Sequence, residues 1–191
     1  AAALATPLIG WMSSLVVSSF MEESERLEMM GDVFRTHGAS GFLIPLAFAI
    51  GATPAICEEL LFRGYVQTGL SRSLPPQLAI LMTSLVFAAF HLDPIHSVAV
   101  FPLGIYLGCL VWRSGSIVPA MLAHFVNNVI SVVAVVLAPT ENPDTLALPA
   151  VAFTMIILAL GIAGMGIVSF ASIAYRRTES SELANGETQL V

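Results

Sequence analysis

The sequence contains no lysine. Its seven basic residues are all arginines, and charged residues make up only 10% of its 191 positions. A nucleic-acid-binding surface needs clustered cationic side chains, so that class is excluded, and the formal net charge of -6 points the same way. Cysteine is almost as scarce. Cys57 and Cys109 both lie inside apolar runs, which argues against a disulfide and for small buried thiols. Internal repeats, low-complexity blocks and a soluble stretch of domain length are missing too. The chain starts at Ala1 with no basic region ahead of its first apolar run, so no signal peptide is read, and earlier helices of a longer protein are expected.

What the chain has is hydrophobic length. Apolar residues make up 57% of it and the mean hydropathy is +0.87, far outside the range of soluble domains. The fold class is all-α, a polytopic transmembrane helical bundle. Six membrane helices are expected, near residues 1–21, 40–70, 77–92, 97–112, 117–138 and 150–175. The third is short for a full span. The acidic stretch 22–35 carries Leu27, Met30, Val33 and Phe34 at helical spacing and reads as an interfacial amphipathic helix. The organisation is therefore a first helix with its acidic segment (1–38), a membrane core (39–138), a polar loop and last helix (139–177), and a disordered tail (178–191). Gly104 and Gly108 form a GxxxG pattern suited to close helix contact. Arg72, Arg113, Arg176 and Arg177 fall on one side of a six-span topology, which places that side and the C-terminus in the cytoplasm of a cell-membrane protein.

Against this background the ionised group Glu58-Glu59-Leu60-Leu61-Phe62-Arg63 stands out. An unpaired charge near mid-membrane costs at least a few kcal/mol. Glu59 and Arg63 are four apart and can pair on one helix face. Glu58 lies about 100° round the axis and stays free for another partner. Pro54, four residues earlier, has no N–H and should release a backbone carbonyl near this point. Further on come Phe87-Ala88-Ala89-Phe90-His91 and His124-Phe125-Val126-Asn127-Asn128. Counting helical rise from the Arg72 and Arg113 turns puts Glu58, His91, His124 and Asn128 within one layer of the bundle. Asn127 reads as interhelical glue, and His96, next to Asp93-Pro94, as interfacial.

Glu58-Glu59-x-x-x-Arg63, Phe87-x-x-x-His91 and His124-x-x-x-Asn128, in that order on successive helices, resemble the CPBP (Abi) family. That family holds type II CAAX prenyl endopeptidases together with bacteriocin-processing and immunity proteins. The resemblance covers about residues 40–138 and implies an intramembrane endopeptidase. Glu58 and His91 would activate water, His124 and Asn128 would hold the carbonyl and its oxyanion, and Glu59-Arg63 would be structural support. Peptide hydrolysis needs such a base and such donors. No cofactor is required on this reading. Alternatively, Glu58, His91 and His124 supply a ligand set suited to zinc. Against zinc, ligation by Glu58 would leave no second free acid as base, because Glu59 is committed to Arg63. The expected partners are a protein or peptide substrate and the lipid bilayer. A proton- or ion-coupled transporter and a non-catalytic immunity or scaffold protein are the competing readings.

Overall fold

The computed structural model describes residues 2–21 and 24–137. The expected loop at 139–149, the sixth membrane helix and the tail lie outside the described residues, as does the Arg176-Arg177 pair.

Among the described residues the chain is all helical, without strands. Helix α1 runs Ala2–Ser18 and α2 runs Glu25–His37. A tight turn through Gly38–Phe42 follows, where Gly41 takes φ 92°, a left-handed conformation that glycine adopts at no steric cost. Helix α3, Leu43–Glu59, continues through a π-helical stretch, Leu60–Gln67, into a last turn at Thr68–Leu70. Then come α4 (Pro76–Ala89), α5 (Pro94–Ser114) and α6 (Val118–Leu137). Three stretches, Ser40–Leu70, Pro94–Ser114 and Val118–Val136, are long and apolar enough to cross a membrane. The 14 residues of α4 rise only about 21 Å, as its shortness in the sequence suggested.

The closest packing pairs are α3 with α6 and α4 with α5, and α1 lies across both α5 and α6. Leu103, Leu107, Ala120 and Ala123 form the buried seam between α5 and α6. The GxxxG pattern acts as expected. A Cβ on Gly104 would come within 3.2 Å of Phe87 and Ser84, and one on Gly108 within 2.9 Å of Ile80 and Gln67. The outward faces carry Ile44, Phe48, Ile56, Leu60, Leu61, Leu85 and Leu122, all exposed, as a lipid-facing surface would be.

Three expectations need correction. Cys57 is exposed on that outer face instead of buried, while Cys109 is partly buried; both are free thiols. In a bilayer an outward apolar side chain is sheltered by lipid, so the sequence pattern cannot separate the two cases. Helix α4 stops at Ala89, and His91 sits on the turn that follows, where Leu92 has φ 56°. Helix α5 starts at Pro94 instead of about residue 97, so His96 belongs to its first turn. Asp93 causes this early start: its carboxylate accepts from the His96 N–H at 2.8 Å as an N-cap, and Pro94 occupies the first helical position.

Candidate active site

The site grows from the end of α3. Glu59 and Arg63, both fully buried, pair at 2.8 Å as their spacing demands. Arg63 also donates to the Gly104 carbonyl at 2.9 Å and lies 4.5 Å from the centre of the Phe87 ring, a cation–π contact. One turn on, Gln67 donates to the Gly108 carbonyl at 3.0 Å. Side chains four apart on one helix thus reach carbonyls four apart on α5. The glycines at 104 and 108 permit the helices to come near enough for both bonds. The local π-helical winding widens the turn that carries Arg63, a feature common at functional sites.

Glu59 has a second partner that spacing did not reveal. His124 Nδ1 lies 2.9 Å from the same Glu59 oxygen that holds Arg63. A carboxylate accepts only, so Nδ1 carries the proton and donates. His124 Nε2 then faces Glu58, 3.9 Å from its Oε2. Glu59 is therefore an orienting group for an imidazole as well as the counter-ion of Arg63.

His91 is set by the same logic. Its Nδ1 is 3.0 Å from the Phe87 carbonyl, which can only accept, so Nδ1–H donates there and Nε2 is left for other partners. Asn128 donates through Nδ2 to the Ile50 carbonyl at 3.4 Å. Ile50 lies four residues before Pro54, so its carbonyl is the one that the missing proline N–H releases. Asn127 in turn donates to Asn128 Oδ1 at 3.4 Å.

Glu58, His91, His124 and Asn128 all border one cavity of about 380 Å³. Glu58 Oε2 is buried and has no hydrogen-bond partner among the described residues. Its side chain is 25% exposed overall, whereas that of Glu59 is 0%. The two neighbouring carboxylates thus live in different surroundings, one fully buried with its Oε1 shared by Arg63 and His124, the other bordering the cavity. The rest of the wall is largely apolar, from Met30 and Phe34 of α2 to Val132 and Val135 of α6. The apolar stripe of α2, expected to rest on a bilayer surface, covers the cavity with these two residues.

Two further residues of the wall were not placed at the site from sequence. His96 reaches the cavity, its ring centre 4.7 Å from that of His91. Asn127 borders it as well. The Asp93-Pro94 pair, a strong helix-start signal, could have moved His96 from loop to helix.

Among the described residues no three His, Cys, Asp or Glu side chains are grouped to hold a metal ion. His91 and His124 each give one ring nitrogen, Nδ1, to a protein acceptor, the Phe87 carbonyl and the Glu59 carboxylate, and each keeps Nε2 for another partner, as metal-ligating histidines commonly do.

Residues 40–130 match the family model described as type II CAAX prenyl endopeptidase Rce1-like. Residues 40–130 are an Rce1-like domain. The match is consistent with the CPBP resemblance and takes in every residue of the three motifs. Within the Rce1-like domain lie α3, α4, α5 and the first part of α6; the α2 residues that cover the cavity precede it. Nothing among curated proteins or solved structures matches the chain.

Proposed function

We propose that the chain is an intramembrane endopeptidase that hydrolyses peptide bonds of membrane-associated or lipidated substrates with a Glu58-activated water. The observation that carries this reading is the contrast between the two carboxylates. Glu59 is fully buried and its Oε1 is held by both Arg63 and His124, whereas the Glu58 side chain is 25% exposed, borders the cavity and has no hydrogen bond to its Oε2 among the described residues.

In this reaction a water hydrogen-bonded to the Glu58 carboxylate attacks the scissile carbonyl carbon while its proton passes to Glu58. His91 Nε2, the ring nitrogen not given to the Phe87 carbonyl, helps to orient that water. The oxyanion that forms accepts from Asn128 Nδ2 and from His124 Nε2 when the latter carries a proton. Glu58, Glu59 and Arg63 sum to one negative charge, so a proton on His124 leaves the buried group neutral. When the C–N bond breaks, Glu58 returns its proton to the departing amine, and no net proton is consumed. Glu59 and Arg63 hold His124 and the α3–α5 contact in register.

The proposed setting is the cell membrane, with the Arg72 and Arg113 turns and the C-terminus cytoplasmic. The proposed reaction routes no step through a metal, since Glu58, His91, His124 and Asn128 each have a task in it.

The test is cleavage of a membrane-anchored peptide library by detergent-purified protein, beside Glu58→Gln. Glu58→Gln keeps shape and loses basicity, so cleavage should fall at least about 10³-fold with an unchanged Tm. A transporter or an inert scaffold would leave the wild-type protein without cleavage. Chelation followed by stoichiometric zinc addresses the alternative: activity that vanishes and returns would make Glu58 a ligand.

A further inference from the structure

A second cavity, of about 230 Å³, lies beside the first. Arg26, Leu27 and Asp93 help to line it, so its wall is more polar than that of the larger chamber. Four residues border both: Met30, Glu58, His91 and His96. They form the neck between an apolar chamber and a polar vestibule. Hydrolysis needs water at Glu58, and the apolar chamber is where a hydrophobic substrate would lie. The neck is the place where the two meet.

His96 is the polar neck residue that the reaction described above does not use. Its position is built. Asp93 takes the His96 N–H at 2.8 Å and the Ser24 hydroxyl at 2.5 Å, which ties the start of α5 to the start of α2. Ser97 donates to the Ala88 carbonyl at 2.7 Å, which fixes the first turn of α5 against the end of α4. These bonds hold the His96 ring beside that of His91, tilted at 58° to it. An imidazole in a neck of this kind offers one donor and one acceptor to a passing water.

We infer that the vestibule is the water entrance of the site and that His96 is a positioning residue, which hands the hydrolytic water to Glu58 and His91. The inference rests on the proteolytic reading. No chemistry passes through His96 itself; it lowers the disorder of the water about to react.

His96→Phe and His96→Gln separate hydrogen bonding from packing. Phenylalanine keeps a ring against His91 and removes both nitrogens, whereas glutamine keeps a donor and an acceptor. For His96→Phe, kcat should fall at least tenfold with KM within twofold and Tm unchanged. His96→Gln should recover kcat to within about threefold of the wild-type value. Full kcat in His96→Phe, or an equal loss in His96→Gln, overturns the assignment. Glu58→Gln run in parallel shows which idea has failed. An inactive Glu58→Gln beside a fully active His96→Phe removes only the role of His96, and a wild-type protein without cleavage removes both. A readout independent of turnover uses His96→Cys with Cys57 and Cys109 replaced by serine, in lipid nanodiscs. An anionic, membrane-impermeant methanethiosulfonate should label it in the folded protein; labelling only after denaturation would show a dry vestibule and overturn the inference.

Discussion

His124 and Glu59, 65 residues apart in sequence, meet at 2.9 Å through Nδ1 and Oε1. That bond joins the first motif to the third. It also makes Glu59 serve two partners, because the same oxygen holds Arg63 at 2.8 Å. One carboxylate thus fixes the α3–α5 contact and the tautomer of a site imidazole together.

Removing Glu59 should therefore harm fold and activity in one step. Glu59→Gln strands a fully buried Arg63 and releases His124. Breaking a buried pair from one side costs roughly 3–5 kcal/mol. Arg63→Ala should show the same drop in thermal stability in detergent. Thermal unfolding and turnover measured on both variants check this; an Arg63→Ala protein of wild-type Tm without activity would move Arg63 into the catalytic set.

Pro54→Ala tests how Asn128 is held. Alanine restores an N–H that bonds the Ile50 carbonyl within α3, in competition with Asn128. The helix should be no less stable, while Asn128 loses its anchor and kcat falls about tenfold. Asn128→Leu, which removes the proposed oxyanion donor itself, should cost roughly 10²–10³ in kcat. Equal activity in wild-type and Pro54→Ala proteins would show that the carbonyl does not set the amide.

The Asp93 carboxyl is held below the usual carboxylate range, first by the His96 N–H and then by the Ser24 hydroxyl. A depressed carboxylate contributes stability above its unfolded value and loses it as pH falls through the folded one. The link between α2 and α5 should therefore weaken in acid and hold at neutral pH. Tm measured against pH should fall less steeply on the acid side for Asp93→Asn than for the wild-type protein. Identical slopes would remove Asp93 from the pH response.

Topology is open to direct labelling. With Cys57 and Cys109 replaced by serine, Arg72→Cys and Arg113→Cys should resist impermeant thiol reagents in intact cells and react in inverted vesicles. Reaction of Arg72→Cys from outside would reverse the orientation.

The sequence by itself determined what is local. Long apolar runs without charge specify helices, and their order and approximate ends could be read directly. The Glu59-Arg63 pair follows from four-residue spacing, and the carbonyl released at Ile50 follows from Pro54. The Gly104-Gly108 contact was legible because only small residues admit so near an approach. What only the tertiary structure decided is which way each helix faces. A helix that is apolar all round carries no stripe to mark its inner side, so rotation within the bundle is set by packing against neighbours. That rotation brings His124 to Glu59, Asn128 to Ile50 and Ser24 to Asp93, pairs 65 to 78 residues apart. It also turns His96 into the neck and Cys57 outward. In water a polar face would have shown these directions, but in a chain built for lipid the polar signal is confined to the few residues that meet inside.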